Sequence, residues 1–394
     1  MNYEKRFCEI RDFLIKHEYL HELETLNRFE EVELKEPYDL WFEEINLLSK
    51  VQLIDFESNQ DITNLKDTNL IKFMNTVKEL ITIPTKEPQE FDLADIYKRK
   101  MNIKKVHEIQ TIKYFLDKNV SIDSFIDIGS GAAHLSQALV SDNNKSSICI
   151  DMNQNFQKIG IDKINKWLPH LKDKIEFKQL VITSETLSQL KKDSMILGLH
   201  SCGPLSTYLI ESCHQYTLNF GCCYHKLVDE YNISNLSKKL PIKFTSHALT
   251  MAAKGNSKLS IDDLKRKYKV KMFRYTLHYL SLEKLNTPFT TLGNAKQSDY
   301  DGKFSDYAYK YLAKAKVMSK EDLEDYYQTN QVRINKAIKA GSLRAQLARL
   351  IELYIILDRV IYLREKNIDA NMFELFNRDI SPRNIAIFSN GKII

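Results

Sequence analysis

Three short strings in this chain bring together residue types that can do chemistry. The first, Asp127-Ile128-Gly129-Ser130-Gly131, follows the apolar Ser124-Phe125-Ile126. A glycine turn between strand and helix lets a ligand approach backbone with no Cβ in the way, and the next helix offers unpaired N–H groups. Such a turn accepts either a dinucleotide pyrophosphate or the carboxypropyl end of S-adenosylmethionine. Here G-x-G runs into Ala132-Ala133, without the third glycine of the pyrophosphate fingerprint. Asp151 stands 24 residues beyond Asp127, at the end of the next apolar run, where a carboxylate can accept both hydroxyls of a ribose. The combination favours adenosylmethionine over a nicotinamide or flavin cofactor. Asp127, Gly129, Gly131 and Asp151 are the candidate cofactor-binding residues. Glu108, in Lys104-Lys105-Val106-His107-Glu108-Ile109, is a further candidate, placed to orient the amino group of the cofactor's methionine part. A helix-surface ion pair is the ordinary alternative for it.

The other two strings are Leu199-His200-Ser201-Cys202-Gly203-Pro204-Leu205 and Phe220-Gly221-Cys222-Cys223-Tyr224-His225-Lys226. Each ends an apolar run that reads as a strand. In an open parallel sheet, ligands bind outside the carboxyl ends of the strands. His200, Cys202, Cys222, Cys223 and His225 are therefore the candidate catalytic residues. One reading has them line a pocket beside a transferable group, with His200 or His225 accepting a proton. A second is a tetrahedral zinc site, although no C-x-x-C pairing supports it and no metal ligands are assigned. A third is small buried hydrophobes with a satisfied histidine.

The elements that must hold these strings read as βαβ units. Five apolar runs near residues 124, 147, 175, 195 and 217 alternate with helical stretches, which implies a largely parallel sheet. A late run at 384–388 is expected to return to it. Residues 1–97 read as a helical cap or accessory region, 98–235 as the cofactor-binding half, and 236–330 as an insertion that could recognise substrate. Residues 331–394 supply a C-terminal helix and strand. The stretch from Asn335 to Asn367 reads as one long helix with Leu343, Leu347, Leu350, Ile351, Tyr354, Ile355 and Val360 on its apolar stripe. Within it, Asp358 and Arg359 either pair internally or face solvent.

At 394 residues, 43% hydrophobic and 28% charged, the chain has the apolar mass for a large core, which excludes global disorder, collagen and coiled coil. Six irregularly spaced cysteines fit a reducing compartment, and the first residues lack an apolar signal core. No run suits a membrane span. A monomer in the cytoplasm, with the nucleus as a second compartment, is expected. The net charge of +5 says little about partners, but Lys254, Lys258, Lys265, Arg266, Lys267, Lys269, Lys271 and Arg274 against Asp262 and Asp263 give a local net of +6. Tyr268, Phe273 and Tyr275 are interleaved. Such a patch suits a phosphate backbone, with the aromatics either exposed to stack on bases or turned inward on an amphipathic helix. Lys98, Arg99, Lys100, Lys104 and Lys105 form a second basic cluster.

Taken as a set, KKVHEI, DIGSGAAHLS, GLHSCGPLS, GCCYHKL, LARLIELYIILDRVIYLRE and SPRNIAIF resemble the methyltransferase-like twenty-five family, including its relative described as ribosomal RNA adenine dimethylase domain-containing. The matching strings span about residues 101 to 388. The resemblance implies an α/β, class I (Rossmann-like) methyltransferase sheet with a helical N-terminal region and an insertion after strand five. It also implies an S-adenosylmethionine-dependent enzyme transferring methyl directly to an acceptor beside the HSCG and CCYH strings. Those strings are similar to the H-x-C-G and C-C-x-H elements of the tRNA 2′-O-methyltransferase that acts in the acceptor stem, so RNA is preferred to protein as acceptor. A small-molecule acceptor and a non-catalytic interaction module are the remaining alternatives. One departure counts against adenine dimethylation. Adenine-N6 enzymes present N/D-P-P-Y/F after strand four, where this chain has His200-Ser201-Cys202-Gly203.

Overall fold

The computed structural model describes residues 1–25, 34–141, 144–190, 192–227, 231–252, 261–287 and 295–392. The chain divides into two compact units: Met1–Glu18, Glu79–Ser257 and Leu347–Ile394 form one, Tyr19–Lys78 and Lys258–Gln346 the other. The first 97 residues, which read as one helical region, are thus shared between the two.

The first unit is built on seven strands: β1 (Ser124–Ile128), β2 (Ser146–Asp151), β3 (Ile175–Gln179), β4 (Met195–Cys202), β5 (Tyr216–Cys222), β6 (Ile368–Glu374) and β7 (Ile385–Lys392). Their order is β3-β2-β1-β4-β5-β7-β6. The pairs from β3 through β5 are parallel, and β7 lies antiparallel to both β5 and β6. This is the α/β, class I Rossmann-like sheet, with helices before it and a long insertion after β5. The central strands are apolar almost without alternation because both faces are covered, whereas edge strand β3 exposes Glu176, Lys178 and Gln179. Sheet order reverses between β1 and β4, so the carboxyl ends of β1, β2, β4 and β5 flank the switch point where such folds bind ligands.

Helix Ala348–Glu365 is buried on every side. Helix Tyr3–Lys16 packs on it, with Phe7 stacked on Tyr354 at a centroid distance of 4.7 Å. All seven residues of the expected stripe are buried. The single long helix is not formed: a 3-10 turn at Ala345–Leu347 separates helix Gln331–Arg344 from Ala348–Glu365. Leu343, Leu347 and Leu350 keep helical spacing through that turn, so periodicity does not register it. Asp358 and Arg359 neither pair with each other nor face solvent. Asp358 accepts the backbone N–H groups of Ile233 (2.8 Å) and Ser234 (3.0 Å), while Arg359 donates to Ser206 (2.9 Å) and Thr207 (3.3 Å).

The second unit is helical among its described residues. Phe273 of helix Ile261–Glu283 meets Tyr300, Phe304, Tyr307 and Tyr327 in its core. Tyr268 and Tyr275 are also largely withdrawn from solvent, so the interleaved aromatics turn inward and the stacking reading of the basic patch is lost. Lys265, Arg266, Lys267, Lys269 and Arg274 remain at the surface, but Lys267 and Lys271 pair with Glu57 at 3.3 and 3.8 Å. Lys254 and Lys258 lie outside the described residues.

Candidate active site

The turn after β1 is tied to the end of β2. Gly129 and Ser130 donate to the Ile150 carbonyl at 2.8 and 3.2 Å, and Gly131 N donates to Asp151 Oδ2 at 2.8 Å. Asp151 Oδ1 accepts from Asn153 N at 2.8 Å, so one carboxylate braces both loops and keeps a lone pair on each oxygen. Gly129 and Gly131 have φ of 68° and 55°, the left-handed region that favours glycine. A Cβ on Gly131 would meet nothing within 4 Å, so the space over the turn is open. Asp127 lies beneath this surface. It is buried, accepts from Ser136 Oγ at 2.8 Å, and is pushed up to about 6 by burial despite that bond. After Asp151 come Met152 and Phe156, 70% and 51% exposed, which sequence reasoning passed over. Their signal was available: two large apolar residues beside an acid at the end of a strand.

Opposite the switch point, β4 carries a bulge. Leu199 pairs with Phe220 and Ser201 with Gly221, which leaves His200 as the extra residue, at φ 61°. A bulge turns a side chain off the strand's alternation. Here it sends Nε2 of His200 to within 2.9 Å of Glu108 Oε1. The same oxygen accepts from Ser381 Oγ at 2.6 Å and lies 3.5 Å from Lys104 Nζ. Burial opposes ionisation of Glu108, but the bonds from His200 and Ser381 and the Lys104 charge hold its carboxyl below the usual range. An ionised carboxylate only accepts, so Nε2 carries the proton and Nδ1 is the acceptor of the neutral ring. Glu108, the residue expected to meet the cofactor's methionine part, holds His200 and Ser381 through Oε1. Ser381 belongs to the SPRN string. His107 is a satisfied structural histidine, bonded to Glu90 (2.5 Å) and to the Asn377 N–H (3.0 Å).

Three of the candidate cysteines converge. Cys202 Sγ lies 3.1 Å from Cys222 Sγ and 3.4 Å from Cys223 Sγ, and Cys222 donates to the His200 carbonyl at 3.2 Å. The hydrogen bond between the Cys202 and Cys222 sulfurs holds Cys202 down to about 5, against its desolvation. Cys222 is pushed up, first by that same bond and then by burial. His225 does not join them: it sits exposed in the 3-10 turn Tyr224–Lys226. The basic cluster before β1 is partly engaged as well, with Arg99 and Lys100 over the Trp167 ring at 5.2 and 5.6 Å.

Residues 104–230 match the family model described as a methyltransferase domain. The matched methyltransferase domain begins at Lys104, one helical turn before Glu108, and takes in β1 through β5. It therefore holds the glycine turn, Asp151, the His200 bulge and the three converging cysteines. The match is to the domain at large and specifies no acceptor. Among the described residues, no helix is long and apolar enough to cross a membrane.

Proposed function

We propose that this protein is an S-adenosylmethionine-dependent methyltransferase in which His200, oriented by Glu108, removes a proton from the acceptor as the methyl arrives. The observation that carries the reading is the Glu108–His200 hydrogen bond at the carboxyl ends of the sheet. A buried carboxylate that fixes one imidazole nitrogen presents the other as a base, the arrangement general-base catalysis uses. The residues present suit the donor. Gly131 offers backbone with open space above it, Asp151 retains acceptor capacity for ribose hydroxyls, and Met152 with Phe156 offers an apolar shelf for an adenine ring. The donor would supply a sulfonium methyl and leave as the neutral thioether once its S–CH3 bond breaks; the chain supplies position and proton acceptance. As the acceptor atom bonds to carbon, its proton passes to Nδ1 of His200 and from there to solvent. Cys202 lies two residues on, where it packs beside the acceptor.

RNA is the proposed acceptor, within the resemblance to the methyltransferase-like twenty-five family. The likeness of HSCG and CCYH to the tRNA 2′-O-methyltransferase elements supports it, as does the exposed row Lys265, Arg266 and Lys269. Absence of an N/D-P-P-Y/F string argues for an acceptor other than the adenine amine. The test is transfer of labelled methyl from adenosylmethionine to an extract of cells lacking this protein. Label lost to nuclease and kept under protease supports RNA. Label lost only to protease overturns the RNA reading, and no labelled fraction from a protein that binds the donor overturns catalysis.

A further inference from the structure

Cys202, Cys222 and Cys223 are brought together by two backbone departures. Cys202 and Cys222 are register partners on adjacent parallel strands, an alignment reached only after the bulge at His200 has shifted the β4 register. Successive side chains of an extended strand point to opposite faces, so Cys223 should turn away from Cys222. It does not, because Cys223 sits at φ 52°, in the left-handed region. Both thiols of the adjacent pair thereby face Cys202. Non-glycine residues held in that region are strained, and such residues cluster at active sites and ligand clamps. Among the described residues, these three sulfurs are the one group of cysteine, histidine and carboxylate ligand atoms lying within 4.8 Å of one another.

We propose that the three sulfurs bind one Zn²⁺ ion as thiolates. Zinc–sulfur bonds of about 2.3 Å place tetrahedral sulfurs about 3.8 Å apart. The observed separations of 3.1 and 3.4 Å reach that spacing with movements of a few tenths of an ångström in each side chain. Three thiolates suit a soft d¹⁰ ion far better than magnesium or calcium, which take oxygen. Neither His200 nor His225 completes the set, so the fourth position falls to water or a substrate atom, as in catalytic rather than closed structural zinc sites. The adjacency of Cys222 and Cys223, which counts against chelation when the sequence is read alone, is resolved by the left-handed residue.

The experiment uses the full chain, purified under reductant, stripped with chelator and titrated with Co²⁺ as a spectroscopic probe. One equivalent should produce the thiolate-to-cobalt charge-transfer bands and intense visible bands of a tetrahedral sulfur site, and Zn²⁺ should bleach them. Cys202→Ser, Cys222→Ser and Cys223→Ser should each weaken Zn²⁺ at least tenfold and reduce the charge-transfer intensity, while Cys8→Ser leaves both unchanged. Adenosylmethionine binding by each variant reports folding independently of the metal. Wild-type protein that gives no charge-transfer bands overturns the proposal without recourse to variants. So does a spectrum that survives all three substitutions.

Discussion

Glu108 and His200 lie 92 residues apart in sequence, yet the carboxylate of one and Nε2 of the other are 2.9 Å apart, with Ser381 closing on the same oxygen. Helix Ile103–Asn119, the bulge in β4 and the loop between β6 and β7 each contribute one member. In the proposed mechanism the carboxylate acts through the imidazole, which makes Glu108 a positioning residue. His200→Ala should lower the rate of methyl transfer on the order of 10²- to 10⁴-fold, the range of a positioned base. Glu108→Gln should lower the turnover number less and leave the dissociation constant for adenosylmethionine within about twofold. Equilibrium binding measured beside single-turnover transfer checks it. A large loss of donor affinity in Glu108→Gln would return Glu108 to the cofactor.

Asp151 is bound to the turn as well as being the expected ribose partner. Asp151→Ala removes acceptors from Gly131 N and Asn153 N together with any bond to ribose hydroxyls. Hydrogen bonds to a charged acceptor contribute roughly 1.5–3 kcal/mol each, so calorimetry should show donor affinity falling by at least tenfold. Saturable NADH binding without adenosylmethionine binding would reassign the turn to a dinucleotide.

The buried Asp127 makes stability depend on pH with an unusual sign. Its carboxyl is raised from the ordinary 3.8 to about 6, chiefly by burial. The folded state therefore holds this proton more tightly than the unfolded chain, and the group's contribution is fully present below about pH 4 and lost as pH rises through 6. A shift of that size corresponds to about 3 kcal/mol. Denaturant melts of wild type and Asp127→Asn across pH 4 to 7 should diverge, the variant gaining on wild type by up to about 3 kcal/mol. Parallel curves would show that the carboxyl titrates normally.

The strands and turns that form the site were legible in the sequence because their physics is local. Apolar runs without alternation, a glycine turn and an acid at a strand end identify β1, β2, β4 and β5 and their carboxyl edge. Two features were not legible. The bulge at His200 and the left-handed Cys223 decide which side chains meet, and neither residue type announces that conformation. Ser381 reaches Glu108 through a contact 273 residues away, which no spacing rule can supply. Strand β6 was missed although Ile368, Ala370 and Met372 alternate with polar residues, because that alternation is brief and follows a long helix. Asp358 and Arg359 read as an internal pair or as solvent-facing groups for a related reason: their partners come from segments distant in sequence.

Asp358 gives the sharpest test of that buried polar layer. It accepts two backbone N–H groups, one from Ser234, the cap of helix Asn235–Lys239. Asp358→Ala strands both donors, each at about 1–3 kcal/mol, whereas Asp358→Asn keeps one acceptor. Urea melts should place the alanine variant at least 2 kcal/mol below wild type, with asparagine between them. Equal stability of all three would mean that water satisfies those groups.

The basic row on helix Ile261–Glu283 tests the proposed RNA acceptor, and the structure narrows which residues to change. Lys267 belongs with Lys271 to the pairing of the largely buried Glu57, and its removal would perturb folding as well as charge. Lys265, Arg266 and Lys269 are exposed, though Lys265 also lies 3.6 Å from Asp262 and Lys269 lies over the Phe273 ring. With the aromatics turned inward, any RNA affinity here is electrostatic and should fall steeply with salt, each lost phosphate contact reducing the log–log slope by about 0.7 for a single strand. The triple variant Lys265→Ala, Arg266→Ala, Lys269→Ala should therefore bind RNA more weakly, with a slope shallower by about 2, and transfer methyl more slowly while holding adenosylmethionine as wild type does. With Phe273 buried and Tyr268 and Tyr275 half-buried against the helical core, the loss should be the same for unrelated RNA sequences. Filter binding across a salt series, run beside transfer assays, measures all three quantities. Unchanged RNA affinity and transfer at physiological salt would remove this helix from substrate binding and leave the acceptor to be held by the strand ends alone.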